Sequence, residues 1–377
     1  MLYEIHMLKN YAPTNLNRDD TGSPKTCLFG GVQRGRISSQ CLKHSWRISN
    51  LLKESIGNEY LGIRTRTMPT LIGEQLRKAG ISEEFIEIVV KKLTGFGNKE
   101  GKSSDENDIT AQVILYSHSD LEVIEKLIIN QLNECHNASD VKKIDVKNLQ
   151  AELSKLNKDR KNGISLDMAL FGRMVTSDAF EDVDAAMQVA HAIGTNRLMM
   201  ESDYFTAVDD VISEKKDQGS AMIGDVDYNS SCYYIYASLD TDKLSENLKN
   251  NENVGMLIKN AIPALIKTMA YTSPSGKQNS FAGHSLPSAI LVECKEKKVP
   301  ISYANAFEIP VRPTASSGIV RGSVEKLMAE VQKIQKGFEL PIVKRLWFTM
   351  ENVETFEEKF AVNCASFPEL IEQLPID

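Results

Sequence analysis

No stretch of this 377-residue chain approaches the roughly 20 consecutive apolar residues that a bilayer-spanning helix requires. The opening run Met1-Leu2-Tyr3-Glu4-Ile5-His6 has no basic segment followed by an apolar core, so no secretory signal is expected there. Cysteine is sparse and scattered, at positions 27, 41, 135, 232, 294 and 364, with no CxxC pair. Such spacing offers neither a zinc knuckle nor a redox couple, and isolated thiols suit a reducing cytosol. No tandem repeat is visible. The carboxylate pairs Asp19-Asp20 and Asp209-Asp210 invite comparison with two-metal nucleases, which need clustered carboxylates. Neither pair comes with the third ligand that HExxH or a similar motif would advertise. Asp19 and Asp20 are better suited to shaping their loop or orienting Arg18. Gly276-Lys277-Gln278 fails the GxxxxGK[ST] pattern because glutamine follows the lysine, which argues against a phosphate-binding loop of a nucleotide-dependent enzyme. The expectation is a chain with no catalytic residues, no metal and no cofactor.

Positive charge is also in short supply, with a net charge of -7 that looks wrong for a nucleic-acid binder. The average hides a gradient. Residues 1–47 carry Lys9, Arg18, Lys25, Arg34, Arg36, Lys43 and Arg47 against Glu4, Asp19 and Asp20, a local charge of +4 that leaves −11 for the remainder. Salt screens charges beyond about 8–10 Å, so electrostatic footprints are local. An acidic body with one basic face can hold phosphate on that face alone.

The 42% hydrophobic content is enough for a full core with appended lobes. Leu2 to Leu8 alternates as a strand, and residues 10–37 read as a long ordered loop or hairpin. A helix is predicted from Ser38-Ser39 to just before Gly57. Residues 60–160 read as a helical insertion: Pro69 to Ala79, Ser82 to Leu93, a third helix capped by Ser119-Asp120-Leu121-Glu122 and running to Cys135, and Val146 to Lys158. The polar stretch 98–105 is expected to be mobile. Asp167 to Val175, Val183 to Ile193, Ser231 to Leu239, Leu286 to Cys294 and Val343 to Thr349 read as strands, with helix left open for Val183 to Ile193. Residues 195–225 read as a protruding loop. Helices are predicted at Glu252 to Ala270, with Pro263 inside, at Ser323 to Lys336 and at Pro368 to Leu374. This irregular interleaving implies an α+β sheet domain with insertions, not a doubly wound parallel sheet.

The densest chemistry lies in Asn17-Arg18-Asp19-Asp20, Ser23-Pro24-Lys25 and the run from Gly30 through Gln33-Arg34-Gly35-Arg36-Ile37-Ser38-Ser39-Gln40 to Lys43 and Arg47. Ser38 and Ser39 would supply hydroxyls and free amides at a helix start, where the dipole favours an anion. Lys43 and Arg47, four apart, share a helix face. A solvated basic helix with an ordinary serine cap remains the alternative from composition alone.

This cluster resembles the CasC family, the backbone subunit of Cascade, the type I-E CRISPR effector complex. The resemblance continues through Asp167-Met168-Ala169-Leu170-Phe171-Gly172-Arg173-Met174, Ala190-His191-Ala192-Ile193, Asp203-Tyr204-Phe205-Thr206-Ala207-Val208-Asp209-Asp210, Gln218-Gly219-Ser220-Ala221 and Gly276-Lys277-Gln278, in the family's order. It implies an RNA-recognition-motif-like (ferredoxin-like) palm at 1–59, 161–194 and 223–377, a helical fingers insertion at 60–160 and a thumb hairpin at 195–222. It also implies that copies stack along CRISPR RNA in a prokaryotic cytoplasm, beside other Cascade subunits and a target DNA strand, with target cutting left to a separate helicase-nuclease. Carried over by motif, Arg18, Lys25, Ser38, Gln40, Lys43, Arg47 and Lys277 would contact the RNA backbone, and Met174 and Phe205 would wedge beside displaced nucleotides. No role falls to Cys27, Cys41 or His44. The physical logic is consistent: a guide must keep its base edges free, so the protein should hold phosphate and sugar.

Overall fold

The computed structural model describes residues 1–98, 101, 107–158, 163–175, 179, 180, 182–207 and 222–376. They form two compact units: Met1–Leu52 with Gln188–Asp240 and Ile262–Asp377, and Lys53–Met187 with Thr241–Ala261.

The first unit is built on a ten-stranded sheet ordered β12-β11-β10-β1-β9-β7-β3-β2, with β6 and β8 also paired to β9. The strands are β1 (Leu2–Thr14), β2 (Thr26–Phe29), β3 (Val32–Ile37), β6 (Met187–Val189), β7 (Ala192–Gly194), β8 (Met200–Ala207), β9 (Met222–Asp240), β10 (Ala289–Lys295), β11 (Ile342–Thr349) and β12 (Ala361–Asn363). The β11–β12 pair is parallel, and β1 runs antiparallel between β9 and β10. The helices of this unit are α1 (Ser39–Arg47), the start of α2 (Asn50–Ile56), the second half of α10 (Val254–Tyr271), α11 (Gln278–Phe281), α12 (Ile319–Phe338) and α13 (Phe367–Glu372). The fold is α+β, as the sequence implies.

Alternation along β1 gives the sheet two different faces. Leu8, Tyr234, Tyr236, Leu291 and Trp347 lie on one face and pack against Tyr303, Phe307 and the Val324, Leu327, Met328 and Val331 stripe of α12. That face also holds a fully buried ion network. Lys295 pairs with Glu4, Arg345 Nε with Glu293 at 2.8 Å, and Tyr303 donates its hydroxyl to Glu293 at 2.9 Å. His6 sits among these groups with its Nδ1 2.8 Å from the Tyr234 hydroxyl. Burial and then the charges of Lys295 and Arg345 hold its imidazole well below its ordinary pKa, hence neutral. On the opposite face Lys9 reaches the carbonyls of Ala270 and Thr272, both at 2.9 Å, capping the end of α10.

The second unit contains β4 (Ile63–Thr65), β5 (Ile114–Tyr116), α3 (Met68–Lys78), α4 (Glu83–Leu93), α5 (His118–Asn133), α6 (Ala138–Val141), α7 (Val146–Lys158), α8 (Leu166–Phe171) and α9 (Thr241–Leu248). Its core joins Ile72 and Leu76 of α3, Ile86 and Val89 of α4, Ile124 and Ile128 of α5, and Leu149 and Leu153 of α7. It extends past the 60–160 insertion read from sequence. Asn247 Nδ2 donates to Ala169 O and Asp184 O, and Asn251 Nδ2 to Ile164 O, which ties 241–261 to the helices.

Several local expectations are corrected. The first strand continues to Thr14, so part of the expected loop is sheet, and β2–β3 supply the hairpin. The helix predicted from Ser38 to Gly57 breaks after Arg47 and restarts at Asn50. Residues 166–171 are a helix, not the predicted strand: Leu166 to Leu170 are all buried, which erases any period that could tell helix from strand. The run from Val183 to Ile193 yields only the short β6 and β7. The capping box of α5 uses Ser117 and Asp120 instead of Ser119. Where 195–225 reads as a loop, β8 pairs with β9 in a ribbon. Asp209, Asp210, Gln218–Ala221 and most of 98–105 lie outside the described residues. Among the described residues no helix is long and apolar enough to cross a membrane.

Candidate nucleic-acid interface

Two of the seven N-terminal bases are internal. Lys9 is fully buried, and desolvation lowers its pKa from 10.5 to about 7. Arg34 is buried as a staple, donating to Gly194 O, Thr195 O, Phe307 O and Glu308 O. The basic surface therefore comes from Arg18, Lys25, Arg36, Lys43 and Arg47.

Asn17 organises these residues. Its backbone carbonyl accepts from Lys25 N and its side-chain Oδ1 from Ser38 N, both at 2.8 Å, so one residue sets the Lys25 turn beside the start of α1. The Ser38 hydroxyl accepts from Cys41 N at 3.3 Å as the helix cap. The Ser38 amide is thus not free for an anion, contrary to the expectation, and the side chain is buried. The amides of Ser39 and Gln40 remain at the helix start, with Gln40 exposed. Lys43 and Arg47 follow on α1, both half-buried. Desolvation pulls the Lys43 pKa down.

Asp19 shapes the turn and does not orient Arg18. Its Oδ1 accepts from Thr21 N, Thr21 Oγ1 and Ser23 N, and these bonds hold its pKa below the ordinary value. Arg18 is exposed and bridges only to Pro24 through the backbone. Lys277 reaches the same region from a segment distant along the chain. A Cβ on Gly276 would lie 2.3 Å from Leu16 O, so only glycine lets this turn abut residues 15–16. Lys277 itself adopts φ 50°. Gln278 Nε2 locks the turn onto Pro274 O at 2.7 Å and Gly283 O at 3.2 Å.

The β8–β9 ribbon rises from this region. Asn15 Nδ2 donates to Asp227 O at 2.8 Å, the Ser23 hydroxyl to Asp227 Oδ2 at 2.7 Å, and Tyr228 lies 5.5 Å from the Phe281 ring. Phe205 pairs with Gly224 and its ring occupies the space a Cβ would need. It is 38% exposed and outside the core. Phe205 and Tyr228 share a ribbon face, separated by four strand residues, or about 13 Å along the strand. Met174 belongs to the second unit, where it follows a buried Arg173–Asp120 pair at 2.8 Å and is 90% exposed. Seven of the nine residues carried over from the motifs therefore surround one turn-and-helix region of the first unit, Phe205 stands on the adjoining ribbon, and Met174 is in the other unit.

Sequence reasoning passed over three contributors. Asn17 is the anchor, and Arg36 and His191 extend the patch: Arg36 Nε donates to Thr26 O at 3.0 Å and its Nη1 lies 3.1 Å from His191 Nδ1. Both belong to quoted motifs, yet their juxtaposition depends on the β3–β7 pairing Arg36↔Ile193. Among the described residues Arg18, Lys25, Arg36, Lys43 and Lys277 make no ion pair, whereas cations elsewhere in the chain, such as Lys295, Arg345 and Arg173, are matched. Uncompensated cations on one surface are an anion-binding footprint. Residues 3–373 match the model of the CT1975-like protein family. The chain belongs to that family. In structure the family member is similar to a chain of a CRISPR RNA-guided surveillance complex described as pre-nicking, with 26% identity, a TM-score of 0.81, and coverage of 99% of this chain and 98% of that one. A chain of another CRISPR RNA-guided surveillance complex matches in fold at 22% identity and TM-score 0.73, with the same coverage. No curated protein matches the sequence significantly.

The sheet face itself is closed to ligand. In RNA-recognition motifs, sheet aromatics stack bases. Here Tyr234 and Tyr236 are buried beneath Tyr303, Phe307 and α12.

Proposed function

We propose that this CT1975-like protein is a non-catalytic backbone subunit of a type I-E Cascade complex, acting in a prokaryotic cytoplasm. It grips the phosphates of CRISPR RNA with Arg18, Lys25, Gln40, Lys43, Arg47 and Lys277, with Ser38 capping the helix that carries three of them, and leaves the base edges free to pair with a target DNA strand. The first unit acts as the RNA-recognition-motif-like palm, the second as fingers, and the β8–β9 ribbon as the thumb, with Phe205 and Met174 wedging beside displaced nucleotides. Further copies of the chain and the other Cascade subunits are its partners. The observation that carries this reading is the uncompensated cation cluster beside a sheet face already filled by the chain's own aromatics. Such an arrangement suits backbone contact without base readout. The similarity to subunits of CRISPR RNA-guided surveillance complexes supports it. Asp19, engaged with Thr21 and Ser23, is poorly placed to act as a nuclease ligand.

A backbone subunit contacts its own copy head to tail, an interface that propagates instead of closing. Sizing with CRISPR-repeat RNAs of increasing length should show masses that climb in steps with the RNA. A closed dimer indifferent to RNA length would refute the backbone role. Cleavage of RNA or DNA on incubation with Mg²⁺ or Mn²⁺ would refute the non-catalytic reading.

A further inference from the structure

The side chain of Arg36 is held at two points. Its Nε donates to Thr26 O at 3.0 Å and its Nη1 lies 3.1 Å from His191 Nδ1. Its own backbone amide donates to Lys25 O at 2.8 Å, which sets it directly beside the Lys25 turn. Both side-chain acceptors are uncharged. Burial, then the charges of Arg36 and Lys25, keep the His191 imidazole below its ordinary pKa, so it serves as a neutral acceptor. A carboxylate in that place would orient the guanidinium and also cancel its charge. An imidazole and a carbonyl orient it and leave the full positive charge facing outward, with Nη2 still unoccupied among the described residues.

Resting on the RNA-binding reading above, we infer that Arg36 is a further phosphate contact, and that His191 is the positioning residue that aims its guanidinium at a phosphate next to the one held by Lys25. A pre-oriented fork loses little rotamer freedom on binding and can engage phosphate through paired N–H donors, which a lysine cannot. The site is a property of the β3–β7 pairing, because that register brings Arg36 next to Ile193 and hence beside the His191 turn.

The test uses the full chain and a fluorescent single-stranded RNA titrated at several salt concentrations, with thermal melting run in parallel. Arg36→Gln should weaken binding about tenfold at 150 mM salt, and lower the salt slope by about 0.7, one phosphate contact on a single strand. Arg36→Lys should keep most of the slope and lose much of the affinity. His191→Leu should behave like a partial Arg36→Gln, while His191→Asn, whose side-chain carbonyl can accept in place of Nδ1, should restore binding. Equal salt slopes for wild type and Arg36→Gln, or loss of melting temperature that accounts for all lost binding, would overturn the inference and leave the RNA-binding reading standing. Failure of His191→Asn to outperform His191→Leu would remove the positioning role. A wild-type chain that does not bind the RNA at all would overturn the RNA-binding reading, and this inference with it.

Discussion

Phe205→Ala separates a wedge from a core residue. A buried phenylalanine truncated to alanine costs roughly 3–5 kcal/mol. The Phe205 ring is more than one-third exposed and packs across the ribbon on Gly224. Its stabilising contact is a single cross-strand pair, worth about 0.2–1 kcal/mol. Spread over a chain of this size, such a loss should move the melting temperature by no more than about 2–4 °C. Stacking against a displaced nucleotide is worth roughly 1–3 kcal/mol per base, so the larger effect should appear on bound RNA. Affinity of a single copy, set by the cation cluster, should change little. In an assembled complex, chemical probing of the RNA should show regularly spaced reactive nucleotides with the wild-type chain and a blurred pattern with the variant. A fall in melting temperature of many degrees, or an unaltered probing pattern, would refute the assignment of Phe205 as a wedge.

Replacing Lys43 and Arg47 together with Ala should weaken RNA binding alike for unrelated sequences and reduce the salt slope by up to about 1.4, two phosphate contacts on a single strand; unchanged affinity at 150 mM salt would take both residues out of the site. Lys9 supplies a pH signature. Its folded pKa of about 7 lies below the ordinary 10.5, so between those values the unfolded chain holds a proton that the folded chain has shed, and this contribution to stability rises with pH. Denaturant titrations from pH 7 to 10 should give a slope difference between wild type and Lys9→Met on the order of 1 kcal/mol per pH unit, and identical slopes would contradict it.

The elements legible from sequence are those whose pattern is local. The amphipathic stripes of α3, α4, α5, α7 and α12 and the alternation of β1 and β9 announce themselves. The failures have a common physical origin in burial on all sides or in partners distant along the chain. Leu166 to Leu170 contact protein all round, so no face is left to show a helical period. Lys9 and Arg34 look like surface charge, yet their acceptors are carbonyls more than 150 residues away. The candidate site is legible as a list of cations because the basic run is contiguous from Asn17 to Arg47. Its geometry is not, because Lys277 and His191 arrive through tertiary packing at Gly276 and through the β3–β7 register.

One strand joins the ribbon to the middle of the sheet. β9 runs 19 residues without interruption, about 63 Å at 3.3 Å per residue, paired with β8 over its first part and with β1 over the rest. There is no hinge between the two parts. Where β1 shifts register between Tyr11 and Thr14, the irregularity coincides with Pro13, which has no amide to donate, and the extra residue falls on β1 while β9 stays continuous. Mechanically the ribbon is therefore a cantilever clamped in the sheet. A pull at its tip loads the β1–β9 hydrogen bonds at the centre of the fold, and a slip of one residue in that register would turn the ribbon face that carries Phe205 and Tyr228 toward the opposite face of the sheet.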